Sequence, residues 1–213
     1  MANRPVFLPE YQGSKLVEER FFNFSWNAGF AQVQKKRNVI ALHKEAMGSG
    51  IKNILEISSK SEVELGQRLS AFNLKIEIDG DFYPLESVYQ GSKVFKEFGP
   101  FPDIFHLPPR EAKKFIRGKS GQLVRFRLQD VDYPLSPKNA FYDWLYIRSL
   151  AKHADWIKEK VDYDAFTDIE FNPAKQVNCQ ARAFAEYLSL VTRGELQAAV
   201  DNFEYFASML SPA

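Results

Sequence analysis

The chain has a single cysteine, Cys179, so no disulfide can close within it, and a reducing cytoplasm is the expected compartment. It lacks any run approaching the roughly 18 apolar residues of a membrane-spanning helix. The opening residues Met1-Ala2-Asn3-Arg4-Pro5 place no apolar stretch behind a basic one, unlike a secretory leader. An excess of one charge is missing too: 28 Lys and Arg face 27 Asp and Glu, a net charge of +1. That excludes the global signature of a non-specific nucleic-acid binder and leaves any such contact to a local patch. His43, His106 and His153 stand apart without ligand-type spacing, which argues against zinc. No Gly-rich phosphate loop of the P-loop or Rossmann kind occurs. Neither a metal nor an organic cofactor is expected.

What the chain has in abundance is phenylalanine, 19 residues of it, which predicts a core built on rings, or rings lining a pocket for flat ligands. With 213 residues, 45% of them apolar, it can bury a sizeable core within one domain. Residues 5–35 read as irregular or extended, and a helix is predicted over 34–46, stopped by Gly48-Ser49-Gly50. Ile54-Leu55-Glu56-Ile57 is a short strand. Leu74 to Ile78 alternates apolar and charged residues, a half-buried strand, and Asp79-Gly80 turns it back. A helix over 85–98 follows Pro84, and a short one starts near Arg110. Val124 to Leu128 alternates like a strand, and helices are predicted over 137–152, 178–193 and 195–209. The whole is α+β, helix-dominated, with a small antiparallel sheet.

On the predicted 85–98 helix, Glu86, Gln90 and Lys93 fall at i, i+4 and i+7, within one arc of the surface. A carboxyl beside an amine suits cleavage of an N-glycosidic bond: the acid handles the proton at the leaving nitrogen, and a desolvated lysine attacks the anomeric carbon or forms an imine with the opened sugar. A solvated Glu–Lys pair explains the same spacing. Gly91 inside the helix signals close approach of a backbone or ligand.

The blocks Leu69-Ser70-Ala71-Phe72-Asn73, a strand, the Asp79-Gly80 turn and Glu86-Ser87-Val88-Tyr89-Gln90-Gly91-Ser92-Lys93 resemble the signature of the NADAR family (YbiA-like proteins). That signature is a Leu-Ser-Asn-Phe-like segment, a strand, a turn and a Glu-x-x-x-Gln-x-x-Lys helix. Arg110-Glu111-Ala112-Lys113, the helix at 138–151, Thr167-Asp168 and Asn178 follow in the family's order, so the resemblance covers about residues 56–193. Two departures stand out: the order Ser70-Ala71-Phe72-Asn73, and Ile169-Glu170-Phe171-Asn172-Pro173 where a Gly-rich stretch is common. Residues 1–55, with Phe21-Phe22-Asn23-Phe24-Ser25-Trp26, are expected to form an extension packed on a catalytic domain of residues 56–213. Together these features resemble the subgroup encoded beside DarT-type DNA ADP-ribosyltransferase toxins, in which the NADAR protein is the antitoxin.

The resemblance implies a hydrolase that removes ADP-ribose from guanine in DNA. ADP-ribosylated DNA, read as single-stranded, would be its substrate, ADP-ribose its product, and a genetically linked DNA ADP-ribosyltransferase toxin its counterpart. It implies Lys93 as nucleophile or imine former, Glu86 as acid and base, and Asp168 as orienter of the ribose. Gln90 joins them, and Arg68, Ser70 and Asn73 become candidates for the pyrophosphate and ribose. Taken by themselves, Asp168 serves equally as a turn cap, Arg68 as half of a surface ion pair, and Asn178 as a helix cap or a ribose or phosphate ligand. Trp26 suits stacking on a purine or plain core packing.

From Arg110 to Arg127 seven basic residues (Arg110, Lys113, Lys114, Arg117, Lys119, Arg125, Arg127) face one acid, Glu111. This strip suits a phosphate backbone or a solvated face. Two other functions stay open: an N-glycosidase acting on a free nucleotide or riboflavin-pathway intermediate, and an antitoxin that neutralises its toxin by contact alone.

Overall fold

The computed structural model describes residues 1–29, 31–119 and 121–210. Its elements are, in chain order, β1 (Ala2–Pro9), β2 (Val17–Phe24), α1 (Gln32–Gly48), β3 (Ile54–Glu56), α2 (Glu64–Arg68), β4 (Lys75–Ile78), β5 (Asp81–Pro84), α3 (Leu85–Gly91), β6 (Lys93–Phe95), α4 (Pro109–Arg117), β7 (Leu123–Leu128), β8 (Val131–Tyr133), α5 (Ala140–Ala151), α6 (Ala154–Lys160), β9 (Ala165–Thr167), α7 (Gln180–Arg193), α8 (Leu196–Asp201) and α9 (Phe203–Leu210). The architecture is α+β with small sheets, as expected. The strands form a four-stranded sheet in the order β2-β1-β9-β3, the β4-β5 hairpin, and a three-stranded sheet β6-β7-β8. Every pairing is antiparallel except β3 with β9. Among the described residues no helix is long and apolar enough to cross a membrane.

One local reading is sharpened and two are corrected. Most of residues 5–35 is a regular hairpin, with Ala2 opposite Phe24 and Pro9 opposite Val17; its alternation was hard to see because Pro5, Pro9 and the run Phe21-Phe22 break it. The predicted 85–98 helix stops at Gly91. The carbonyl of Gly91 accepts the N–H of Phe101 at 2.6 Å, and the chain then pairs Lys93 with Phe126 and Val94 with Arg125 as strand β6. A distant strand thus outcompetes the local helical period. The 195–209 helix is two, α8 and α9, broken at Asn202.

Helix α5 explains where the core sits. Its sequence Ala-Phe-Tyr-Asp-Trp-Leu-Tyr-Ile is buried from Ala140 to Ile147 without a polar face, so it needs neighbours on all sides. Phe141 stacks on Phe126 of β7 at 4.4 Å, and Trp144 meets Phe203 of α9 edge-on at 5.5 Å. Of the phenylalanines, Phe126, Phe141 and Phe203 meet at this helix. The β4-β5 turn has Asp79 at φ 53° and Gly80 at φ 90°, the pair of left-handed residues that a two-residue hairpin loop requires. That turn brings α3 back under α5.

Candidate active site

Strands β3 and β9 run parallel, Ile54 beside Ala165 and Glu56 beside Thr167. The segments that follow them, Ser58-Ser59-Lys60 and Asp168, form one wall of a cavity of about 870 Å³. Helix α3 and strand β6 supply Glu86, Gln90 and Lys93 to it; the start of α4 supplies Arg110 and Lys113; the entry to α7 supplies Asn178 and Gln180. Its volume falls in the upper part of the roughly 300–1,000 Å³ typical of ligand sites.

Lys93 reaches the cavity from the first residue of β6, not from a third helical turn. Its Nζ donates to Gln90 Oε1 at 2.7 Å and lies 4.9 Å from the Tyr89 ring centre. Burial, reinforced by the Lys113 charge and opposed by Glu86, pulls its pKa down to about 8. Glu86 Oε1 accepts the Tyr142 hydroxyl at 3.1 Å. Burial pushes the Glu86 carboxyl above its ordinary value, against the pull of Tyr142, Lys113 and Lys93. An amine and an acid shifted toward each other's range are what proton transfer near neutral pH needs.

Asp168 lies across the cavity. Its Oδ1 accepts the Glu170 N–H at 3.0 Å, closing a turn, so it caps locally and faces the cavity at once. Burial and the neighbouring Glu56 charge push its carboxyl well up. Asn178 lines the cavity but does not cap α7. The capping position is Cys179, buried at the start of the helix, and the backbone N–H groups of Ala181 and Arg182 point to its thiol.

The remaining residues singled out in the sequence lie elsewhere. Ser70 is buried, donating to Gln180 Oε1 at 3.2 Å. Asn73 Nδ2 donates to the Gln67 carbonyl at 2.7 Å, and Arg68 pairs with Glu64 at 2.7 Å on an exposed face. Trp26 belongs to a separate, shallower cavity. Lys114 and Arg117 are exposed on α4, outside the cavity lining. Arg125 and Arg127 share Asp132 at 3.1 and 2.6 Å, which neutralises that end of the basic strip.

Sequence reasoning missed Glu56. Its Oε1 accepts the Ser58 hydroxyl at 2.6 Å and the Ile169 N–H at 2.9 Å; its Oε2 accepts the Thr167 hydroxyl at 2.7 Å. One side chain therefore ties together the two segments that carry Ser58 and Asp168. Since the Thr167 proton goes to Glu56, His43 Nε2–H donates to Thr167 Oγ1, at 2.8 Å. Burial moves Glu56 up to about 7 and His43 down to about 4. The available signal was a carboxylate set in an otherwise apolar strand, Ile54-Leu55-Glu56-Ile57. Tyr142 packs in the core, and its hydroxyl also holds Glu86.

A family model described as DarT1-associated NADAR antitoxin matches residues 2–213. Comparison with curated proteins gives no match.

Proposed function

The chain belongs to the DarT1-associated NADAR antitoxins, and from that premise we propose that it is an N-glycosidase that removes ADP-ribose from guanine bases in DNA. The observation that carries the reading is the meeting of Lys93, Glu86 and Asp168 on one cavity, with the Lys93 amine depressed to about 8 by burial. A sizeable fraction of that amine is neutral near physiological pH and can attack carbon.

The Lys93 amine attacks the anomeric carbon as the bond to the guanine nitrogen breaks. Glu86, favoured in its protonated form by burial, gives its proton to that nitrogen. The lysine–sugar adduct, as closed glycosylamine or opened imine, is then released by water, with the Glu86 carboxylate receiving the proton. Asp168 orients the ribose hydroxyls and offsets positive charge at the anomeric carbon. Arg110 and Lys113 supply cations for the pyrophosphate. Lys114 and Arg117, outward on the same helix, suit the DNA backbone. Reversal of the modification would neutralise a linked DNA ADP-ribosyltransferase toxin in the cytoplasm.

The test is release of ADP-ribose from a guanine-ADP-ribosylated oligonucleotide by purified protein. Release by the wild type and none by Lys93→Ala is expected; no release, or full release by the variant, overturns the reading. Cell protection by Glu86→Ala against a co-expressed toxin would instead indicate neutralisation by contact.

A further inference from the structure

Trp26 lines a cavity of about 520 Å³ together with Arg4, Asn172, Pro173 and Ala174. The Arg4 guanidinium lies 5.4 Å and the Lys35 ammonium 5.6 Å from the Trp26 ring centre. Arg4 Nη1 donates to the Asn3 carbonyl at 2.9 Å, while its Nε is buried without a hydrogen-bond partner. A buried guanidinium N–H left unpaired is costly unless a ligand or water meets it. An indole that carries two cations over its ring offers a nucleobase the aromatic surface it turns to the cavity, with phosphate oxygens on the cations.

This cavity and the active site are neighbours. Glu170 and Phe171 line the large cavity and Asn172-Pro173-Ala174 line the small one, so consecutive residues divide them. That divide is an ordered turn: Asn172 N–H donates to Gln176 Oε1 at 2.7 Å, and Asn172 Oδ1 accepts the Ala174 N–H at 3.1 Å. Lys35 crosses it, pairing with Glu170 at 3.2 Å while standing at the Trp26 ring. A polynucleotide strand leaving the active site over this turn meets Trp26.

We propose that the Arg4–Trp26 cavity is a second nucleotide subsite, which binds the base and phosphate of a nucleotide flanking the modified guanine on the same single strand. The proposal rests on the reading of DNA as the substrate. It assigns Trp26 to recognition of the neighbouring nucleotide, apart from the ADP-ribose itself.

The experiment measures binding of an unmodified, fluorescently labelled single-stranded oligonucleotide of about ten nucleotides to the full chain at low salt. The variants are Trp26→Leu, which keeps an apolar side chain against the hairpin, and Ala174→Glu, which sets a carboxylate on the exposed wall. Both are expected to weaken binding by about tenfold, within the range for loss of one base stack or one phosphate contact, with melting temperatures checked alongside. Wild-type affinity in both variants, loss in Trp26→Leu alone, or no binding by the wild type overturns the proposal. ADP-ribose release by the wild type is scored separately, so an enzyme that acts on modified DNA yet binds unchanged through these variants refutes the subsite and leaves the activity standing.

Discussion

Lys93 stands on a strand, and its Nζ bonds back to Gln90 Oε1 on the preceding helix, 2.7 Å away. The amine is thus held over α3 by a neutral acceptor rather than neutralised by a carboxylate. Lys93→Ala is expected to lower ADP-ribose release at least about a hundredfold, as for loss of a nucleophile. Lys93→Arg should not restore it, because a guanidinium keeps its proton. Single-turnover release by each variant is the measurement.

The pH profile follows from the same amine. Its pKa is lowered to about 8, and the neutral form is the reactive one. The step also needs the protonated Glu86 carboxyl, so the rate should be bell-shaped in pH, one limb bending at the Lys93 amine near 8 and the other at the Glu86 carboxyl. Lys113 contributes to the depression, so Lys113→Ala should move the amine's inflection to higher pH. A flat profile between pH 6 and 9 would remove Lys93 from the chemical step.

Gly91 is a packing constraint as well as a helix end. A Cβ there would lie 2.6 Å from both the Phe101 carbonyl oxygen and the Phe105 ring. Gly91→Ala should cost about 1–3 kcal/mol, as overpacking does. At Gly118 the nearest atom to an added Cβ is 3.4 Å away, and φ is −73°. Gly118→Ala should be neutral or slightly stabilising. Urea midpoints of the two variants separate steric cost from a generic glycine effect.

His43 gives a test of the Glu56 network by stability. Its pKa falls from 6.5 unfolded to about 4 folded, so the unfolded chain binds the extra proton across that window. This contribution is full above about 6.5 and lost as pH drops toward 4. Glu56, raised to about 7, acts in the opposite direction, its contribution being lost as pH rises toward 7, so the wild-type curve alone hides both. The difference between wild type and His43→Gln, followed by urea midpoint, should grow in favour of the wild type from pH 4 to 6.5. A pH-independent difference would show that His43 does not titrate there.

Much of the fold was legible because its local patterns are self-consistent: the alternation before Asp79-Gly80, the apolar run of α5, and the helical period of α7. What stayed hidden depends on pairing across the chain. No local period announces β9, three residues between β1 and β3 in the sheet, or β6, whose partner lies some thirty residues on. The sequence grouped Glu86, Gln90 and Lys93 for an incomplete reason: the residues share a cavity, but a strand pairing, not helical spacing, delivers Lys93. Glu56 was invisible as a site residue because its partners, Thr167 and Ile169, are more than a hundred positions away.

The interior position of β1 has a consequence for the timing of synthesis. Its hairpin with β2 is made first, yet its other edge is covered only when residues 165–167 arrive. Until then the nascent chain carries an unpaired strand edge, a hazard for misassociation. Asp168 enters with that same strand, so the cavity is incomplete for most of translation. If the cavity is the active site, as proposed, a ribosome stalled before β9 yields a product without its Asp168 wall.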